Sequence, residues 1–290
     1  MPTNLRRALR VSAWLLLVAL LQIGGNVAGR QDTPGQQGGI SLAPAVVTLT
    51  GKPGQAYRQT LRLTNHTLRE LAFQLEAQDV VTDDGRRVFV AAGERPGSVA
   101  STAVFSPKEI VIAPDAVGVA DVTLTMPPGS AVRGVAAIFH GHTIVGSQNG
   151  VAMTASLGCL ITFTLSNDVR LEASAPEVSD QTEASNLAVT EWVTNTGSEP
   201  VIASGAAALL NAAGVLVGKV PVEPQRLMPG EQLAFKADYP ALLSPGRYRA
   251  LLSLEYDDHE RKVLTRTADF AVPSIRDDQR AADHSTGVRP

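Results

Sequence analysis

The chain has 290 residues, with 25 Lys and Arg against 28 Asp and Glu, a single cysteine and 4% aromatic residues. A net charge of -3 excludes the basic footprint that nucleic-acid binding needs, and the lone Cys159 excludes an intrachain disulfide. Stability must therefore come from burying apolar surface, and the length is enough for two ordinary cores.

The first residues carry an export pattern. Arg6, Arg7 and Arg10 form a basic region, and Val11–Leu21 is an apolar run of signal-peptide size, shorter than the ~20 residues of a membrane span. Val27, Ala28 and Gly29 suit a signal peptidase, so residues 1–29 are expected to be removed; an uncleaved anchor is the competing reading of the same run. Cleavage takes away three arginines and no acid, which moves the net charge from -3 to -6. No cysteine stands directly after the apolar run, so a lipid-anchored lipoprotein is not expected, and no second run of spanning length occurs, so the mature chain is expected to carry no integral membrane span. The expected location is periplasmic or extracellular, at the cell surface.

Residues 30–39 (RQDTPGQQGG) read as a mobile leader. Strand-like runs then follow one another with no sustained helical period. Ile40–Thr50 carries Pro44 in its middle and suits a kinked edge strand, because proline cannot donate to a ladder. Gln59–Asn65 alternates with Leu61 and Leu63 on one face, and Asn65 opens a turn into Leu71–Val81. Val88–Ala92, Ile110–Ile112, Val119–Met126 and Gly134–Val145 come next, separated by turn residues. Gly150–Leu165 closes the unit with Leu157, Cys159, Ile161, Phe163 and Leu165 at strict period two. Some seven strands so punctuated are expected to form an immunoglobulin-like sandwich.

A second unit repeats the plan. VTNTGSEPV, with Asn195, parallels LTNHTLREL, with Asn65; LMPGEQLAFKADYP parallels IAPDAVGVADVTLTMP; SPGRYRALLSLEY parallels PGSAVRGVAAIF. The expected architecture is all-β: two tandem Ig-like β-sandwich domains at 40–168 and 169–273, behind an N-terminal signal peptide and before a disordered tail at 274–290. Gly54, Gly129, Gly197, Gly230 and Gly246 are expected at turns with unusual dihedrals, and Trp192, mid-strand, is expected in the core.

LAPAVVTLTGKPGQAYRQTLRLTN, followed by IAPDAVGVADVTLTMP and a Gly-initiated strand, resembles periplasmic pilus-assembly chaperones and related bacterial surface proteins with a second Ig-like domain. The resemblance spans roughly 40–272 and rests on turn and strand patterning. It implies that the last strand of the first domain, with its alternating apolar residues, is lent to a protein subunit lacking its final strand. Leu157, Cys159, Ile161, Phe163 and Leu165 match that feature. It also implies a basic pair that anchors the carboxyl end of the bound polypeptide, yet neither Ile40–Thr50 nor Val151–Leu165 contains Lys or Arg. The competing reading of the apolar residues is plain core, since a sandwich strand buries one face in any case.

Other chemistry is sparse. His140 and His142 stand two apart on a strand, hence on one face, a spacing that serves a metal if Glu76, Asp79 or Asp121 approaches. Cys159 reads as a buried hydrophobe, and Asp83-Asp84-Gly85 and Asp257-Asp258-His259-Glu260 read as solvated turns. Asn65-His66-Thr67 satisfies the N-glycosylation rule, but Asn65 is read as supplying the turn. No cofactor and no enzymatic activity are expected. The expected function is an exported protein-interaction module that chaperones or scaffolds a secreted or envelope protein subunit by strand addition. The alternatives are an adhesive component binding cell-wall polymer and a metal-dependent hydrolase at His140 and His142.

Overall fold

The computed structural model describes residues 39–141, 145–146, 152–153, 156–179, 186–256 and 260–273. The segment read as a signal peptide (1–29), residues 30–38 of the expected leader, His142, residues 257–259 of the acidic segment and the expected tail at 274–290 lie outside the described residues.

The first sandwich comprises β1 (Ile40–Ala43), β2 (Val46–Thr50), β3 (Ala56–Asn65), β4 (Leu71–Asp83), β5 (Arg86–Ala91), β6 (Val104–Ser106), β7 (Glu109–Ile112), β8 (Val117–Thr125), β9 (Gly134–Gly141), β10 (Val145–Gly146), β11 (Ala152–Met153) and β12 (Ser156–Thr164). One sheet has the order β1-β3-β8-β6; the other has the order β2-β12-β9-β4-β5, with β7 also on β4. Alternation turns one face of each strand inward. Leu61 and Leu63 from β3, Phe73 from β4, Val122 and Leu124 from β8 and Phe139 from β9 are all buried between the sheets. The kink expected at Pro44 is a change of sheet: β1 pairs with β3 on one side of the sandwich, and β2 pairs in parallel with β12 on the other.

The second sandwich comprises β13 (Leu171–Ala173), β14 (Glu177–Val178), β15 (Leu187–Asn195), β16 (Val201–Asn211), β17 (Leu216–Leu227), β18 (Gln232–Tyr239), β19 (Gly246–Tyr256) and β20 (Lys262–Val272). β15 joins β13, β14 and β18 in one sheet, and the other runs β17-β16-β19-β20. A separate core forms here around Val189, Val193, Leu209, Phe235, Leu252 and Leu254. The fold is all-β, two tandem Ig-like sandwiches.

Asn65 and Asn195 show the repeat at atomic detail. Asn65 Nδ2 donates to the carbonyls of Arg69, Ile112 and Ala113, while its Oδ1 accepts from the Thr67 N–H. Asn195 Nδ2 donates to the carbonyls of Glu199 and Leu227, and its Oδ1 accepts from the Gly197 N–H. Each side chain is fully buried and ties its own turn to a neighbouring strand.

Two expectations need correction. Trp192 is not in the core: Val189, Glu191 and Val193 face inward, so period two turns Trp192 outward, where it is 42% exposed. Among the turn glycines, Gly54, Gly129 and Gly230 have φ between 73° and 80°, but Gly197 and Gly246 do not. Gly197 is required by close approach, because a Cβ there would collide with the Asp168 carbonyl and the Arg170 N–H.

Candidate functional site

The alternating strand lies at the centre of the site. Cys159, Ile161 and Phe163 are fully buried in the first core, and Leu157 and Leu165 pack against it partly buried. Burial pushes the Cys159 thiol up to about 11. Tyr57 meets Phe163 edge-on, with ring centroids 5.7 Å apart.

The backbone of β12 is unevenly used. Its whole length from Ser156 to Thr162 pairs antiparallel with β9, but β2 begins to pair only at Leu160. Phe163 N–H donates to Arg133 C=O in the register shared with β9, so odd-numbered residues of β12 point their polar groups at β9 and even-numbered ones point away. Leu160 N–H, on the far side, donates to Ala45 C=O at 2.9 Å. Ser156 and Gly158 also point to the far side, and no backbone group of the described residues meets them there. Among the described residues this is an open sheet edge two hydrogen-bonding residues long, stiffened by the core beneath it.

Beside that edge the surface of the sheet is hollowed. The hollow of ≈ 480 Å³ is lined by Ala136 and Gly158 together with Arg87, Phe89, Ile138 and His140. A Cβ at Gly158 would have only ordinary contacts, at 3.8 Å, so nothing within the protein demands glycine there. A strand glycine without an internal reason marks a place where other backbone comes close.

A guanidinium missed in the sequence stands further along β12, beside the stretch that β2 pairs. Arg226, from β17 of the second sandwich, donates from Nη1 to Thr162 Oγ1 at 3.2 Å and from Nη2 to Thr48 Oγ1 at 3.0 Å. Thr48 and Thr162 lie on β2 and β12, the two segments that lack Lys and Arg. Arg226 has no carboxylate partner among the described residues, whereas its neighbour Arg87 is paired with Glu231 at 2.8 Å. Burial, and then the Arg87 charge, pull the Arg226 pKa below its ordinary value, yet an arginine so placed stays cationic. No local motif announces it, because β17 approaches only through the tertiary fold.

The second-sandwich elements that hold Arg226 in place are clamped to the first. Arg133 Nε donates to Glu199 Oε2 at 3.1 Å, and the same carboxylate accepts from the Leu165 N–H and Ser166 Oγ. Arg87 Nη2 donates to both Glu231 Oε2 and the Arg226 carbonyl, each at 2.8 Å. Each Arg lies on the first sandwich and each Glu on the second, so two ion pairs join the sandwiches.

The other candidates separate. His140 Nε2 lies 2.8 Å from Glu76 Oε1, and its Nδ1 lies 3.1 Å from Ser156 Oγ. Asp121 is engaged elsewhere with Arg58 and Thr60, and Asp79 accepts from the Val99 and Ala100 N–H groups. Of the three side chains considered as metal partners, only Glu76 thus reaches His140, and the described residues contain no group of three His, Cys, Asp or Glu set to hold a metal. Asp84 and Gly85 form a hairpin turn with φ of 46° and 72°. No helix among the described residues is long and apolar enough to cross a membrane.

No protein-family model matches the chain and no curated protein matches its sequence. Among solved structures, the class 5 fimbriae chaperone CfaA is 11% identical over 82% of this chain and 100% of its own, with a TM-score of 0.41. The E. coli chaperone DraB is 13% identical over 80% of this chain and 98% of its own, with a TM-score of 0.39. A chain of the CsuC–CsuE chaperone–tip adhesion subunit pre-assembly complex from archaic chaperone-usher Csu pili of Acinetobacter baumannii is 10% identical over 80% of this chain and 98% of its own, also at 0.39. The similarity of this chain to pilus and fimbrial chaperones covers about four fifths of its length, at low identity and low TM-score.

Proposed function

We propose that the protein is an envelope chaperone or scaffold, exported to the periplasm or cell surface, that receives a strand of a secreted subunit on the open edge of β12. The observation that carries this reading is the unpaired stretch at Ser156 and Gly158, directly beside the hollow. An added strand gains main-chain hydrogen bonds from such an edge, and alternate side chains give selectivity. Arg226, held on Thr48 and Thr162 further along β12 and without a carboxylate partner among the described residues, offers a guanidinium that can receive a carboxylate of the partner in a bidentate, charge-assisted pair. In this reading Cys159, Ile161, Phe163 and Leu165 hold the edge rigid, and Leu157, partly exposed at its open end, meets the partner.

The test is co-purification from the cell envelope with Gly158→Pro. The Gly158 N–H points away from β9, so proline removes the outward donor and blocks the edge while leaving the β9 ladder bonded. The variant is expected to fold and to lose the subunit that accompanies the native chain. Retention of the same partners by the folded variant contradicts the reading.

A further inference from the structure

The hollow beside the β12 edge is shaped around Gly158. The register of the sheet lays its outward positions in rows across the strands: Gly158 stands opposite Ile138, and Ile138 opposite Glu76. The row on one side is Leu160, Ala136 and Gln78, and the row on the other is Ser156, His140 and Gln74. Gly158 is thus a gap in a row of side chains, and the gap lies at the open edge itself. A Cβ built there meets only Ala137 O and Ile138 Cγ1, each at 3.8 Å, so the space over the glycine is free and Ile138 walls it on the inner side.

An added strand supplies what fills such a gap. Residues directly opposite one another on neighbouring strands point to the same face, so the residue set against Gly158 projects over the glycine. Two strand spacings, about 10 Å, separate its backbone from that of Ile138. A leucine there ends above Gly158, whereas a phenyl or phenol ring crosses the glycine and reaches Ile138, with Leu160 on its flank. Aromatic rings packed across edge glycines in this way restore strands that the glycine weakens. The charges nearby favour no other occupant. Glu76 lies 2.8 Å from His140 and Arg87 lies 2.8 Å from Glu231, Arg226 is held further along at Thr162, and Lys108 and Glu109 sit on the far side of β4. We infer that the hollow is a specificity pocket for an aromatic side chain, carried by the bound strand at the position paired with Gly158. The pocket rests on strand addition at the β12 edge and adds the selectivity that main-chain hydrogen bonds lack.

The test is an NMR titration of the isotopically labelled full chain, read at the Ser156 and Gly158 amides. The probes are acetylated and amidated heptapeptides Thr-Thr-Thr-Xaa-Thr-Thr-Thr, in which Xaa is Phe, Tyr, Leu or Ala. The Phe and Tyr peptides are expected to bind about tenfold more tightly than the Ala peptide, with Leu between them. Gly158→Val fills the gap and keeps the outward N–H, while Ile138→Ala removes the wall without touching the edge. In each variant the four peptides should bind equally, and because both positions face outward the native unfolding midpoint should be kept. Gly158→Pro should lose all four. A Phe peptide that shifts both amides but binds the native chain no better than the Ala peptide overturns the pocket and leaves strand addition standing. An aromatic preference that persists in Gly158→Val overturns it as well, by placing the ring elsewhere. If none of the four peptides shifts the two amides, strand addition at this edge fails and the pocket with it.

Discussion

The Arg133 guanidinium and the Glu199 carboxylate meet at 3.1 Å with side-chain exposures of 11% and 0%, so one link between the sandwiches is an ion pair almost wholly out of water. Taking one partner away leaves the other buried and unpaired, which costs about 3–5 kcal/mol. Glu199→Ala is therefore expected to lower the unfolding free energy by that amount in denaturant titration. Glu231→Ala should cost less, because its partner Arg87 is 28% exposed and can turn to water.

Glu191 predicts a pH dependence of the opposite sign to that of ordinary acid denaturation. It is fully buried on β15, both carboxylate oxygens lack a hydrogen-bond partner, and burial raises its pKa from 4.5 to about 7, with Arg266 pulling the other way. The folded state therefore holds a proton that the unfolded state releases, and stability falls as pH rises from about 4.5 to about 7. Glu191→Gln should remove this slope. Unfolding midpoints of native and variant chains measured at about pH 5 and about pH 8 check it: the native chain should lose stability relative to the variant at the higher pH.

Cys159 reports on whether β12 leaves the core. Buried, with its thiol pushed up to about 11, it should resist a thiol reagent in the native state and react at the rate of global unfolding. Stopped-flow labelling checks this; rapid native labelling would mean that β12 opens locally.

Arg226 should matter to the partner more than to the fold. Its two hydrogen bonds go to hydroxyls, so Arg226→Ala is expected to leave stability within roughly 1 kcal/mol while weakening capture of the partner about tenfold. Arg226→Lys should recover only part of the affinity, because an ammonium cannot make the bidentate pair. Capture is measured by quantitative co-purification.

The strands were legible where side chains alternate against a single core. Leu61 and Leu63, or Val122 and Leu124, announce their faces because every second residue is apolar. β15 misled for the same physical reason: LAVTEWVTN has a tryptophan where solvent is and a glutamate where the core is, and only the packed sheets show which parity won. The short β6 and the 3-10 turn at Ala100–Thr102 carry too few residues for a period to show. Of the site, the apolar positions of β12 were legible, since they share one strand. The edge itself was not, because an edge is defined by where β2 stops pairing. Arg226 was invisible for the same reason, as its approach to Thr48 and Thr162 exists only in the folded chain.

The most direct measurement is amide hydrogen exchange at Ser156 and Gly158, in the chain alone and with the envelope protein that co-purifies with it. Both amides point away from β9, so the account predicts fast exchange in the free chain and strong protection in the complex, with Leu157 and Cys159 protected in both. Equal exchange at Ser156 and Gly158 with and without the bound partner would contradict strand addition at this edge.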